Sequence, residues 1–106
     1  MKELGKIEID DHDGAPMRRT LVFTQLAYAN GRLAIKVTQE SDGYPYATLS
    51  TNVPDAVVAP DEFVVNSMVR SGPASLLDNH MVEPTGRTVD YGFVKNAPVY
   101  RLRATN

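Results

Sequence analysis

Cysteine and tryptophan are absent from the 106 residues, and histidine occurs only twice, as His12 and His80. Without cysteine there is no disulfide and no thiolate metal site, which fits a reducing compartment. With two histidines and no Gly-x-Ser-x-Gly elbow, the nucleophile, base and orienting group of a hydrolytic triad cannot be picked out. No Walker or dinucleotide glycine loop occurs. No stretch approaches the ~20 apolar residues that span a bilayer. Met1 to Asp10 carries acids and no apolar run, unlike a signal peptide. A charge excess is missing too. Eleven basic residues face thirteen acidic ones, evenly spread, for a net charge of −2. That is too little positive charge for a nucleic-acid partner and too mild an acidity for a DNA mimic. These absences lead to the expectation of a non-enzymatic cytoplasmic protein. It is expected to need no membrane, metal or cofactor, and direct contact with nucleic acid is not expected.

What is present is strand patterning. Hydrophobic residues make up 42% of the chain, enough to expect one folded domain over 1–106. Leu21 to Ala29 is rich in β-branched, aromatic and apolar residues. Asn30-Gly31 follows, a dipeptide suited to a type I′ turn. In Arg32 to Gln39, Leu33, Ile35 and Val37 alternate with Arg32, Ala34, Lys36 and Thr38, the period of a strand with one buried face. Ser41-Asp42-Gly43 reads as a turn. Tyr44 to Val53 resumes the alternation, with Ala47, Leu49 and Val53 opposed to Tyr46, Thr48 and Ser50. These segments predict a three-stranded meander.

Around the meander, Glu3 to Ile9 reads as a first strand, and Pro54 to Pro60 as a loop. Glu62 to Asn66 reads as a short edge strand. Ser71-Gly72-Pro73 suggests a helix start, with Pro73 in the first turn, and Ala74 to Asn79 a short helix. Pro84 to Gly86 reads as a turn, and Phe93-Val94 with Val99 to Arg103 as a last strand or hairpin. The expected architecture is α+β: a single antiparallel sheet of about five or six strands with one or two short helices.

Two clusters invite chemistry. Asp10-Asp11-His12-Asp13-Gly14 has metal-ligand residue types, but an EF-hand register ending at Asp13-Gly14 fails at Ile9 and Thr20. It reads as a solvated turn. The tyrosines and phenylalanines Tyr44, Tyr46, Tyr91, Phe93 and Tyr100 lack the basic patch of a single-strand binder and read mainly as core or cross-strand packing. Aromatic and arginine side chains supply most protein-binding hot spots. The candidate protein-contact residues, read as exposed strand and loop groups, are Tyr44, Tyr46, Asn66, Arg70, Arg87 and Tyr91.

The blocks Tyr28-Ala-Asn-Gly-Arg-Leu-Ala-Ile35, Gly43-Tyr-Pro-Tyr-Ala-Thr-Leu-Ser-Thr-Asn-Val53 and Asp61-Glu-Phe-Val-Val-Asn66 resemble a small uncharacterised domain family of phages, plasmids and integrative elements. So do Pro84-Thr-Gly-Arg87 and Gly92-Phe-Val-Lys-Asn-Ala-Pro-Val-Tyr-Arg-Leu102. Relatives carry an acidic, Trp-bearing helical stretch after the third strand, which this chain lacks. The resemblance implies an accessory protein of a mobile element, and by association an inhibitor of host defence such as an anti-CRISPR protein. Its expected partner is a protein, for example a bacterial CRISPR effector complex. The alternative is an accessory or self-associating structural module of the element with no defence role, for example a homodimer paired through an edge strand such as Val99 to Arg103.

Overall fold

A computed structural model describes residues 2–11, 17–53, 58–71 and 74–103. Among these residues are eight strands in two antiparallel sheets, which corrects the expected single α+β sheet. The first sheet runs in the order β1 (Lys2–Asp11), β2 (Met17–Ala27), β3 (Leu33–Gln39), β4 (Pro45–Thr48). The second runs β5 (Ser50–Thr51), β6 (Glu62–Val65), β8 (Val94–Leu102), β7 (Val82–Tyr91).

The meander of β2, β3 and β4 is present, with Phe23 opposite Val37 and Val37 opposite Ala47. Its first turn differs from the type I′ expectation. Tyr28 N donates to Arg32 O and Gly31 N to Tyr28 O, both at 2.8 Å. Of Asn30 and Gly31, only Gly31 has positive φ, at 83°. A type I′ turn needs positive φ at both central residues. A three-residue loop needs it once, and glycine adopts it without a Cβ clash.

The expected single strand from Tyr44 to Val53 is divided between the sheets at Leu49. Leu49 N donates to Ile35 O at 2.9 Å in the first sheet, and Leu49 O accepts Asn66 N at 2.7 Å beside the second. Ser50, placed by alternation on a polar face, is buried instead. Its Oγ accepts the Ile35 amide at 3.1 Å and bonds the Tyr28 hydroxyl at 3.0 Å. A small hydroxyl can replace a strand carbonyl at the corner, so the buried amide keeps a partner.

The inner faces of both sheets share one core. Leu21, Phe23, Leu33, Ile35 and Val37 pack with Leu49, Phe63, Val65 and Val82. The second sheet buries its other face as well. There Val64, Ala97 and Val99 are covered by Val53, Val58, Val89, Tyr91 and Val94. Burial on both faces explains the unbroken apolar run Phe63-Val64-Val65.

Four further expectations are corrected. Glu62–Val65 is internal, between β5 and β8, not an edge strand. The Val99 to Arg103 segment falls mainly in β8, which is flanked on both sides, so it offers no edge for pairing between copies. Pro84 to Gly86 lies within β7, where the register shifts between Pro84 and Thr88. Ala74 to Asn79 forms only a 3₁₀ turn, Ala74–Leu76, after an earlier one at Ser67–Ser71. Asn79 explains the stop. Its Nδ2 donates to both Ser75 O and Leu76 O at 3.0 Å, taking carbonyls a continuing helix would use. The metal-like segment His12 to Gly14, part of the Pro54 to Pro60 loop and Gly72-Pro73 lie outside the described residues.

Candidate functional site

Strand β4 is the last strand of the first sheet, and the chain after β6 turns back beside it. Asn66 fixes this return. Its Nδ2 donates to Thr48 O at 3.1 Å, and its Oδ1 accepts Met68 N at 3.1 Å, which starts the 3₁₀ turn. A groove of about 380 Å³ lies between them. Its walls are Tyr46, Ala47 and Thr48 on one side and Asn66, Met68 and Val69 on the other, with Leu76 also lining it. Val69 and Leu76 are buried in the core, while Met68 is 78% exposed. The groove is therefore anchored to the core and open at an apolar rim.

Tyr46 occupies a bulge. Thr38 opposes Pro45 while Val37 opposes Ala47, so β4 carries one extra residue there. Just upstream, Tyr44 stands 66% exposed at the hairpin. Asp42 Oδ1 accepts its amide at 2.9 Å and Gln39 N donates to its carbonyl at 2.9 Å, so the backbone of Tyr44 is held. A fixed backbone lowers the cost of ordering an exposed side chain on binding.

The six sequence candidates divide. Tyr46 and Asn66 line the groove, Tyr44 lies at the adjacent hairpin, and the backbone of Arg70 falls in the Ser67–Ser71 turn. Arg87 and Tyr91 lie on β7 in the other sheet and do not join them. Arg87 is ion-paired with Glu62, and Tyr91 packs on the second apolar cluster. The Arg87 guanidinium, then the Ala59 amide at 2.8 Å, holds the Glu62 carboxyl below its usual range.

Two exposed apolar residues escaped the sequence reading. Met68 lies between the expected edge strand and the expected helix start, where no element was assigned. Phe93 was grouped with a strand, yet it is fully exposed in the two-residue loop between Tyr91 and Val94. The signal for Phe93 was Gly92, whose φ of 54° opens that loop. A residue beside a turn glycine, with strand residues on both sides, points into solvent.

Among the described residues, no group of three or more His, Asp or Glu side chains is placed to hold a metal ion. Among the same residues, no helix is long and apolar enough to cross a membrane. No family model, curated protein or solved structure matches the chain.

Proposed function

We propose that the chain is a non-enzymatic protein-binding inhibitor encoded by a mobile element, acting on a host defence assembly such as a CRISPR effector complex. The observation that carries the binding part is the groove beside β4, with Met68 exposed at its rim and Tyr44 at the neighbouring hairpin. Exposed large apolar side chains on a backbone held by hydrogen bonds suit hot-spot anchoring. The mobile-element part rests on the sequence blocks described above, two of which, Gly43 to Val53 and Asp61 to Asn66, fall on this region. Inhibition would come from occupying a surface. Tyr44, Tyr46, Asn66 and Arg70 remain its contact candidates, joined by Met68.

The test is co-purification of the tagged chain with a panel of CRISPR effector and restriction complexes, followed by assays of their nuclease activity. A stoichiometric complex and loss of activity, both removed by combined Tyr44→Ala and Met68→Ala substitution, are expected. A panel that neither binds nor loses activity refutes the reading.

A further inference from the structure

Strand β1 runs for ten residues at the edge of the first sheet, bonded to β2 alone among the described strands. The other three edges are poor templates. β5 has two residues and β4 has four, with the Thr48 carbonyl already taken by Asn66. β7 contains Pro84 and two register shifts.

The register tells which β1 groups face outward. Leu49 N donates to Ile35 O, so odd residues of β3 face β4 and even ones face β2. Their partners on β2 are Val22 and Thr24, and Thr20 O accepts Glu40 N in the same sense. Leu21 and Arg19 therefore face β1, opposite Ile7 and Ile9. The amides and carbonyls of Lys6 and Glu8 are left pointing away from the sheet. Their side chains are exposed on its outer face, while Ile7 and Ile9 are only half-buried against the core.

We propose that β1 pairs with β1 of a second copy, antiparallel about a two-fold axis at Ile7. In that register Lys6 lies opposite Glu8 of the other copy, and Glu8 opposite its Lys6. Opposite charges thus meet on the outer face at both hydrogen-bonded pairs. Ile7 meets its own symmetry mate on the inner face, at a non-hydrogen-bonded position where side chains come closest. Centring the axis on Glu8 instead would set the two Glu8 carboxylates against each other. Lys6 already pairs with Glu40 within the chain, and the second carboxylate would join that pair. A charged edge ordinarily repels indiscriminate strand addition. This one is self-complementary in a single register, and it joins two four-stranded sheets into one of eight. The pairing is independent of the groove beside β4.

Sedimentation equilibrium of the full chain tests this, with circular dichroism confirming that each variant folds. The wild type should sediment at twice its monomer mass at micromolar concentrations. Glu8→Lys, which opposes lysines at both pairs, should weaken the dimer by about tenfold or more. Adding Lys6→Glu to that change should restore it. Glu8→Pro removes an outward amide without touching the β1–β2 ladder, and should give a folded monomer. A wild type that stays monomeric, or a dimer indifferent to Glu8→Lys and Glu8→Pro, overturns the proposal.

Discussion

The amide of Ile35 in the first sheet donates to the hydroxyl of Ser50 in the second, at 3.1 Å and out of reach of solvent. The same hydroxyl bonds the Tyr28 phenol, so one oxygen serves both the strand corner and the β2–β3 hairpin. Ser50→Ala leaves a buried amide without a partner. It should cost about 1–3 kcal/mol, read as a lower urea midpoint with an unchanged slope. Tyr28→Phe, which keeps the Ile35 bond, should cost less. Equal losses from the two would show that the amide is satisfied some other way.

Gly5 of β1 lies against His80 and Met81, the two residues just before β7. A Cβ built there would sit 2.9 Å from the Met81 sulfur and 3.3 Å from His80 Nε2. Met81 is buried and has little room to move. Gly5→Ala should destabilise the fold by about 1–3 kcal/mol through overpacking. Combined with Met81→Ala, the two losses should fall short of adding, since the small residue removes the clash. Additive losses would place the cost elsewhere.

The Glu62 carboxyl is held below its ordinary value of 4.5, first by Arg87 and then by the Ala59 amide. A lowered folded-state value means the folded protein binds the proton less readily than the unfolded chain. The stabilisation is present above about pH 4.5 and lost as pH falls through the lower folded value. Glu62→Gln should therefore lower the urea midpoint at pH 7 and converge on the wild type in strong acid. A gap between the two that persists at low pH would assign the loss to packing.

Phe63 and Phe93 make a contrast within one sheet. Phe63 is buried, with its ring centroid 6.3 Å from that of Tyr100 on the neighbouring strand. Phe63→Ala should cost about 3–5 kcal/mol. Phe93→Ser, at a fully exposed loop, should shift stability by no more than about 0.5 kcal/mol. Chemical denaturation of the two variants checks both values.

The period of two in Leu33, Ile35 and Val37 was enough to locate β3 and its buried face, and Ile7 and Ile9 marked β1 in the same way. The division of the Tyr44 to Val53 segment was not legible. Alternation reports which side a residue faces, and Leu49 keeps that pattern while its two backbone groups serve different sheets. The second sheet was hidden for a related reason. Val64 and Val65 are both buried, so β6 shows no alternation to read. Pro84 and Gly86 looked like a turn because their local preferences are those of a turn. In β7 they occupy an edge, where a missing amide costs little. For the candidate site, Tyr46 and Asn66 were picked out as expected exposed groups of strands and loops. Their meeting in a groove depends on Asn66 bonding back to Thr48 across 18 residues, which no local pattern encodes.

Leu49 is tied by its amide to one layer and by its carbonyl beside the other, so neither layer can fray there without releasing the other. An inserted or deleted residue between Pro45 and Thr51 would turn every later side chain of that stretch over, offering Ser50's socket to a neighbour that cannot fill it. Length variation should therefore be purged from this short span and accumulate at the hairpin tips.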